Sequence, residues 1–381
     1  MQSHPAASST YPGQVVLVLQ GGGALGAYQA GVYEALHEAQ MEPDWVVGIS
    51  IGAINGAIIT GNMPGDRLPR LRAFWKSVEN DAPLEQQYWP GLGHMYANWS
   101  AVARGIPALY TPRPLAWGGV AAQVGLDNAS YYITEPLRKT LSPLIDFRVV
   151  NAKDTTRLTV GAVHVTKGEM RYFDSRDEAE GLGLDHVMAS AALPPAFPAI
   201  RIDGEAYWDG GCYSNTPAEV VFDENPRRNS LMFAVNVWQP VGPEPGSIWE
   251  AMGRQKDIRY ASRADSHIKR QKQIHRLRRI IRELSLHVAP AEREHAEVRE
   301  LDSHGCNTTM HVVRLLAPAL DSEDFFKDID FSAAGIRARW QAGLEDTRRM
   351  VAAAPWRQPA DSMEGIIVHE LSARTGARPG G

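Results

Sequence analysis

Val46-Val47-Gly48-Ile49-Ser50-Ile51-Gly52-Ala53-Ile54-Asn55 is the stretch on which the fold turns. An apolar, β-branched run stops at Gly-x-Ser-x-Gly, and a helix-forming run of small residues starts at once. A strand that turns this sharply into a helix lifts the serine at its apex out of the sheet, the arrangement called a nucleophile elbow. The flanking Gly48 and Gly52 have a steric reason, because side chains there collide across so tight a turn. Ser50 then stands at a helix N-terminus, where partial positive charge favours a developing anion. By itself the motif also fits an ordinary strand–turn–helix with a capping serine.

Upstream, Val15-Val16-Leu17-Val18-Leu19 reads as a strand buried on both faces, as in a parallel sheet. Gly21-Gly22-Gly23-Ala24-Leu25-Gly26 follows, and then a helix carrying Val32, Leu36 and Ala39. The order strand, glycine loop, helix, strand, elbow, helix is an α/β signature. The loop satisfies the dinucleotide fingerprint G-x-G-x-x-G, but the acid that reading requires, Asp44, precedes the second strand instead of ending it. The competing reading is an oxyanion hole, with bare backbone N–H groups aimed at an ester carbonyl oxygen.

Farther on, Leu68 to Val78 is expected to be helical. The rest of 62–134 interleaves aromatics with Pro and Gly and reads either as a cap over an apolar cleft or as a surface insertion. Leu158 to Val165 and Met170 to Phe173 form one expected hairpin, and Ala199 to Ile202 and Ala206 to Trp208 a second that ends in Asp209-Gly210-Gly211. Asp185 is expected to cap a helix running to Ala192. Leu231 to Trp238 and Met310 to Leu316 read as strands, and Ser332 as the cap of a last helix. From Arg254 to Glu283, eleven basic residues face three acids, a net +8. Ile274, Leu277, Ile281 and Leu284 recur there at spacings of three and four. Such a basic amphipathic helix lies on an anionic membrane, or packs its stripe on its own domain and solvates its charges.

The chain of 381 residues carries a formal charge of -5, which gives the whole molecule no pull toward nucleic acid. Cys212 and Cys306, its two cysteines, make neither a disulfide scaffold nor a four-cysteine zinc site, so a reducing, cytoplasmic setting is expected. No signal peptide or membrane span is expected. The domain reading is a loose tail over 1–13, a catalytic domain over 14–245 with 62–134 as the possible cap, a C-terminal extension over 246–355, and a flexible tail over 356–381.

Together the glycine loop at 18–28, the elbow at 48–52, the segment Met188–Pro198 and the block Asp209-Gly210-Gly211 with Asn215 and Pro217 resemble patatin-like phospholipases. These are serine lipid acyl hydrolases, and the likeness covers about residues 15–240. It implies a three-layer α/β/α fold with a central, mostly parallel sheet and a mainly helical C-terminal extension. It also implies a Ser–Asp dyad, with Ser50 as nucleophile and Asp209 as base. Gly22 and Gly23, helped by Gly21 and Ile51, would form the oxyanion hole, and Gly26, Gly48, Gly52, Gly210 and Gly211 would support the motifs. The implied substrate is an acyl-ester lipid, with no metal and no cofactor. The basic helix at 254–284 lies outside the likeness, and peripheral membrane contact through it stays open on its residues alone. Leu25 stands where many members carry Arg, and Gln20 where plant members have Asp. Two other functions stay open at this point: a lipid-binding module without chemistry, and a nucleotide-dependent oxidoreductase on the Gly21–Gly26 loop. A serine hydrolase triad with a histidine among His267, His275, His287, His304 and His311 also remains. Oligomeric state is not legible.

Overall fold

The computed structural model describes residues 13–80, 103–114, 116, 119–177, 181–320, 323–359, 361 and 363–370, without the side chains of 262–265. Residues 1–12 of the tail expected over 1–13, the aromatic stretch from Trp89 to Trp99, and Trp117-Gly118 lie outside them.

Among the described residues eleven strands are formed: β1 (Gln14–Leu19), β2 (Trp45–Gly48), β3 (Thr111–Pro112), β4 (Tyr132–Ile133), β5 (Arg157–His164), β6 (Met170–Asp174), β7 (Ile200–Ile202), β8 (Glu205–Asp209), β9 (Ser230–Asn236), β10 (Met310–Leu316) and β11 (Ile366–Glu370). Nine of them build one sheet in the order β11-β10-β9-β1-β2-β5-β8-β7, with β6 beside β5, while β3 and β4 pair separately. From β11 to β5 every neighbour is parallel. The β5–β6, β5–β8 and β7–β8 pairs are antiparallel, as the two expected hairpins require. Among the described residues eight helices of seven residues or more accompany the strands: α1 (Ala27–Glu38), α2 (Ile51–Thr60), α3 (Pro64–Ser77), α4 (Glu135–Leu141), α5 (Leu184–Ser190), α6 (Ile248–Leu286), α7 (Ala296–Ser303) and α8 (Ala333–Ala353).

The sheet is covered on both faces, which is why its central strands are apolar throughout. Successive side chains of β1 point to opposite faces. Val15, Leu17 and Leu19 join the core under α1, α2, α3 and α8. Val16 and Val18 join the core formed with Val221, Phe222 and Ile268 of α6. This is the three-layer α/β/α arrangement. The two longest-separated helices, α1 and α8, touch backbone to backbone. A Cβ added to Gly31 would stand 1.9 Å from the Trp340 carbonyl oxygen, and one on Gly343 2.1 Å from that of Tyr28.

Several boundaries differ from the sequence reading. Helix α5 starts at Leu184 behind Gly183, so Asp185 is its second residue and not its cap. The Asp185 carboxylate instead pairs with Arg138 of α4. Ser332 does cap α8, its Oγ accepting from the Gly335 N–H at 3.1 Å. Helix α6 begins six residues before the basic run, capped by Ser247. It buries Ala261, Ile268 and His275, seven residues apart, and leaves Leu277 and Leu284 60% and 62% exposed. The apolar line Ile274–Leu277–Ile281–Leu284 is therefore not the stripe that packs on the body. A long helix meeting a sheet keeps one seam against it, and here that seam runs through Ala261, Ile268 and His275. The flexible tail expected over 356–381 is corrected for its described part: Ile366–Glu370 adds β11 to the sheet edge in parallel with β10. Its five residues are β-branched at Ile366, Ile367 and Val368, a signal hidden by the Ala, Pro, Gly and Arg around it. No helix among the described residues is long and apolar enough to cross a membrane.

Candidate active site

Ser50 sits between β2 and α2 with φ 56° and ψ −124°, a left-handed conformation unusual for a residue with a side chain. Three contacts hold this strain. The Ser50 N–H donates to the carbonyl oxygen of Ser190 at 3.1 Å and to its Oγ at 3.1 Å. Ser190 Oγ in turn donates to the Gly161 carbonyl of β5 at 2.7 Å. The two motif glycines are as tight as the turn demands: a Cβ on Gly48 would stand 2.3 Å from the Gly52 carbonyl oxygen, and one on Gly52 2.3 Å from that of Leu19.

Asp209 ends β8, fully buried, and shares the cavity wall with Ser50. Its Oδ1 accepts from the Gly211 N–H at 2.7 Å. Burial pushes the carboxyl up from 3.8 to about 7, against the opposing pull of the Ser50 hydroxyl and the Gly211 N–H. A carboxylate with a proton affinity near neutrality, beside a strained serine, has the properties of a general base.

The glycine loop crosses in front of the pair. Among the described residues nothing accepts from the N–H groups of Gly22, Gly23 or Ile51, so all three can donate to a bound oxygen. Gly21 differs from the reading that grouped it with them. Its N–H already donates to the Asn215 carbonyl at 3.2 Å, and its own carbonyl accepts from Asn215 Nδ2 at 3.0 Å and Trp238 Nε1 at 2.7 Å. Gly21 positions the loop. A Cβ on Gly26 would stand 2.5 Å from Ile51 Cγ1, so that glycine lets the loop close on the elbow.

A chain of buried amides fixes this geometry. Gln20 Oε1 accepts from the Val237 N–H at 2.6 Å, and its Nε2 donates to Thr216 Oγ1 at 2.8 Å and to the Tyr260 carbonyl at 3.1 Å. Gln29 donates to the Gln20 carbonyl, Asn55 to Gln29, and Trp75 to Asn55. Of these residues the sequence singled out only Gln20. Ser190 was legible in principle, as the one hydroxyl inside the apolar run Met188–Leu193.

A cavity of about 210 Å³ opens over Ser50 and Asp209. Its walls are mostly apolar: Ile54, Leu109, Leu137, Phe197, Ile329 and Phe331 among them. Tyr110, Tyr132 and Phe197 pack as a cluster, with ring centroids 4.6, 5.3 and 6.2 Å apart. Part of the 62–134 segment thus forms cavity wall. Trp238, Tyr260, Asp328 and Phe331, from the region after β9, close another side.

Among the described residues no histidine lines the cavity. His311 pairs with His369 across β10 and β11 at 2.9 Å, and His275 is buried beside Phe222. Asp44 accepts from the Val15 N–H at 2.7 Å, at the start of β1 and so at the far end of the strand from the glycine loop. It is out of place for a ribose.

A strained serine, a buried carboxyl beside it and a greasy cavity above both set the chain among the lipid hydrolases. A family model described as patatin-like phospholipase matches residues 17–222, more than half of the chain. The chain belongs to the patatin-like phospholipase family. A second model, described as patatin phospholipase, matches residues 258–363. No curated protein matches. Among solved structures, VipD from Legionella pneumophila is 15% identical with a TM-score of 0.34, over 88% of this chain and 67% of its own. The type III effector ExoU is 15% identical with a TM-score of 0.24, over 87% and 54%. The ExoU–SpcU complex from Pseudomonas aeruginosa gives 16% and 0.27, over 93% and 65%. The chain thus spans between 54% and 67% of the length of these proteins.

Proposed function

We propose that the protein hydrolyses acyl esters of lipids through an acyl-enzyme on Ser50, with Asp209 as its base. A serine hydroxyl is a weak nucleophile until a base accepts its proton. In the first half-reaction Ser50 Oγ bonds to the ester carbonyl carbon and its proton passes to Asp209. The oxyanion is met by the N–H groups of Gly22, Gly23 and Ile51. The bond to the leaving alcohol breaks and Asp209 returns the proton to it. In the second half a water gives its proton to Asp209, attacks the acyl carbon, and frees the fatty acid as Ser50 takes the proton back. The observation that carries this reading is that Ser50 at the strained elbow and Asp209, its carboxyl pushed up to about 7 by burial, line one apolar cavity with the glycine loop.

We assign the chemistry to residues 14–245 and one wall of the acyl site to the region that follows. The basic helix α6, with Leu277, Leu284 and Leu286 exposed, supports peripheral contact with an anionic lipid surface. The test is hydrolysis of short p-nitrophenyl esters and of a lipid panel by the wild type, Ser50→Ala and Asp209→Asn. Both variants are expected to lose turnover. Full activity in either one removes the dyad. A wild type that binds lipid but neither turns over nor labels with a serine-directed probe is a lipid-binding module on this fold.

A further inference from the structure

The cavity's charged lining residues are Asp209 and Asp328, both acids, which by themselves would repel an anionic substrate. Neither presents a full negative charge. Asp209 is partly protonated near neutral pH. Asp328 is paired with Lys256, whose Nζ lies 2.8 and 3.1 Å from its two oxygens. The cations around the opening are mostly committed in the same way. Lys327 pairs with Asp257 at 2.8 Å. Arg254 donates to the carbonyls of Gln239 and Pro240 at 2.9 and 2.7 Å.

Arg259 is the exception. It is exposed, and among the described residues no carboxylate or carbonyl accepts from its guanidinium. It lies over the ring of Tyr260, 5.5 Å from the centroid, and Tyr260 lines the cavity. The Tyr260 carbonyl is tied to Gln20, the residue before the glycine loop, at 3.1 Å, and its ring packs on Trp238 at 4.8 Å. The Arg259 charge reaches Cys212, beside Gly211 of the cavity wall. An uncommitted guanidinium beside a tyrosine that lines the cavity is a fork for phosphate oxygens, which it can meet with two parallel hydrogen bonds.

We propose that Arg259 binds the phosphate of the substrate's headgroup at the mouth of the cavity and thereby selects glycerophospholipids over neutral acyl esters. The inference rests on the Ser50–Asp209 reading. With the acyl chain in the apolar cavity and its carbonyl at Ser50, the glycerol leads outward, and the phosphate follows a few bonds later. The residue acts on binding and specificity and takes no part in bond breaking.

The experiment compares the wild type, Arg259→Gln and Arg259→Lys on two substrates with the same short chains: dihexanoylphosphatidylcholine below its micelle-forming concentration, and dihexanoylglycerol. In Arg259→Gln the ratio of kcat/KM for the phospholipid to that for the neutral ester is expected to fall about tenfold or more, the scale of a charge-assisted hydrogen bond, and to do so through KM. Arg259→Lys recovers part of the ratio. Glycerol 3-phosphate competes with the neutral ester in the wild type and less well in Arg259→Gln. An unchanged ratio, or a loss equal on both substrates, overturns the proposal. Inhibition by inorganic phosphate as strong as by glycerol 3-phosphate also overturns it, in favour of a free-anion site. A wild type inert on both substrates is a different result, since it removes the Ser50–Asp209 reading on which this one stands.

Discussion

Asp209→Asn is expected to abolish turnover and, above neutral pH, to stabilise the fold. The wild-type carboxyl has an ordinary value of 3.8 and is pushed up by burial to about 7. Between those values the folded chain holds a proton at Asp209 that the unfolded chain has released. Stability therefore falls as pH rises through that window, by about 1.4 kcal/mol per pH unit, and levels off above it. The whole effect is about 4 kcal/mol, and between about pH 5 and about pH 8 it is about 3 kcal/mol. Asparagine carries no charge, and its Oδ1 can still accept from the Gly211 N–H. Urea unfolding of wild type and variant at those two pH values measures the difference directly. The variant's advantage should be small in acid and grow by about 3 kcal/mol at the higher pH. Two unfolding curves that keep the same separation at both pH values would refute the burial argument. If Asp209 is the base, as proposed, kcat/KM should also rise with pH around a midpoint near 7, because only the ionised carboxylate could take the serine proton.

Two further outcomes are expected. A Cβ at Gly31 stands 1.9 Å from the Trp340 carbonyl oxygen, whereas nothing stands within 4 Å of one at Gly65. Gly31→Ala should lower unfolding stability by about 1–3 kcal/mol or more, and Gly65→Ala, inside α3, should not lower it. Equal effects would sink the close-contact account of α1 and α8. An apolar cavity of about 150 Å³ takes a benzene, so about 210 Å³ takes about eight carbons. Activity on p-nitrophenyl esters should decline beyond about that length. Phe197→Ala, which opens the cluster with Tyr110 and Tyr132, should move the optimum to longer chains, and an unmoved optimum would remove those rings as a limit.

Local pattern carried much of this fold into view. β1, β2, the elbow, both hairpins and the Ser332 cap are short-range features, each decided by residues within a few positions of one another. Three things were not local. β11 reads as part of a frayed end because a five-residue edge strand has too few positions to outweigh its flanks. The face that α6 turns inward depends on Ala261 and Ile268 meeting a sheet far away in sequence, and the larger leucines pointed to the wrong side. The cavity wall drawn from Trp238, Tyr260, Asp328 and Phe331 comes from three separated places, and no spacing rule joins them. Within the site, the motifs named Ser50 and Asp209 but could not separate Gly21 from Gly22 and Gly23. That distinction lies in which N–H already has an acceptor, a property of Asn215's position and not of the glycine run.

The backbone contact between α1 and α8 bears on when the protein can work during its own synthesis. Ser50 and Asp209 leave the ribosome well ahead of Asp328, Phe331 and Trp340. Until those residues emerge, the helix behind the glycine loop lacks the partner that Gly31 and Gly343 allow it to press against, and the cavity lacks a wall. The order of translation thus separates making the reactive groups from assembling them, and an incomplete chain is poorly equipped to attack the lipids around it.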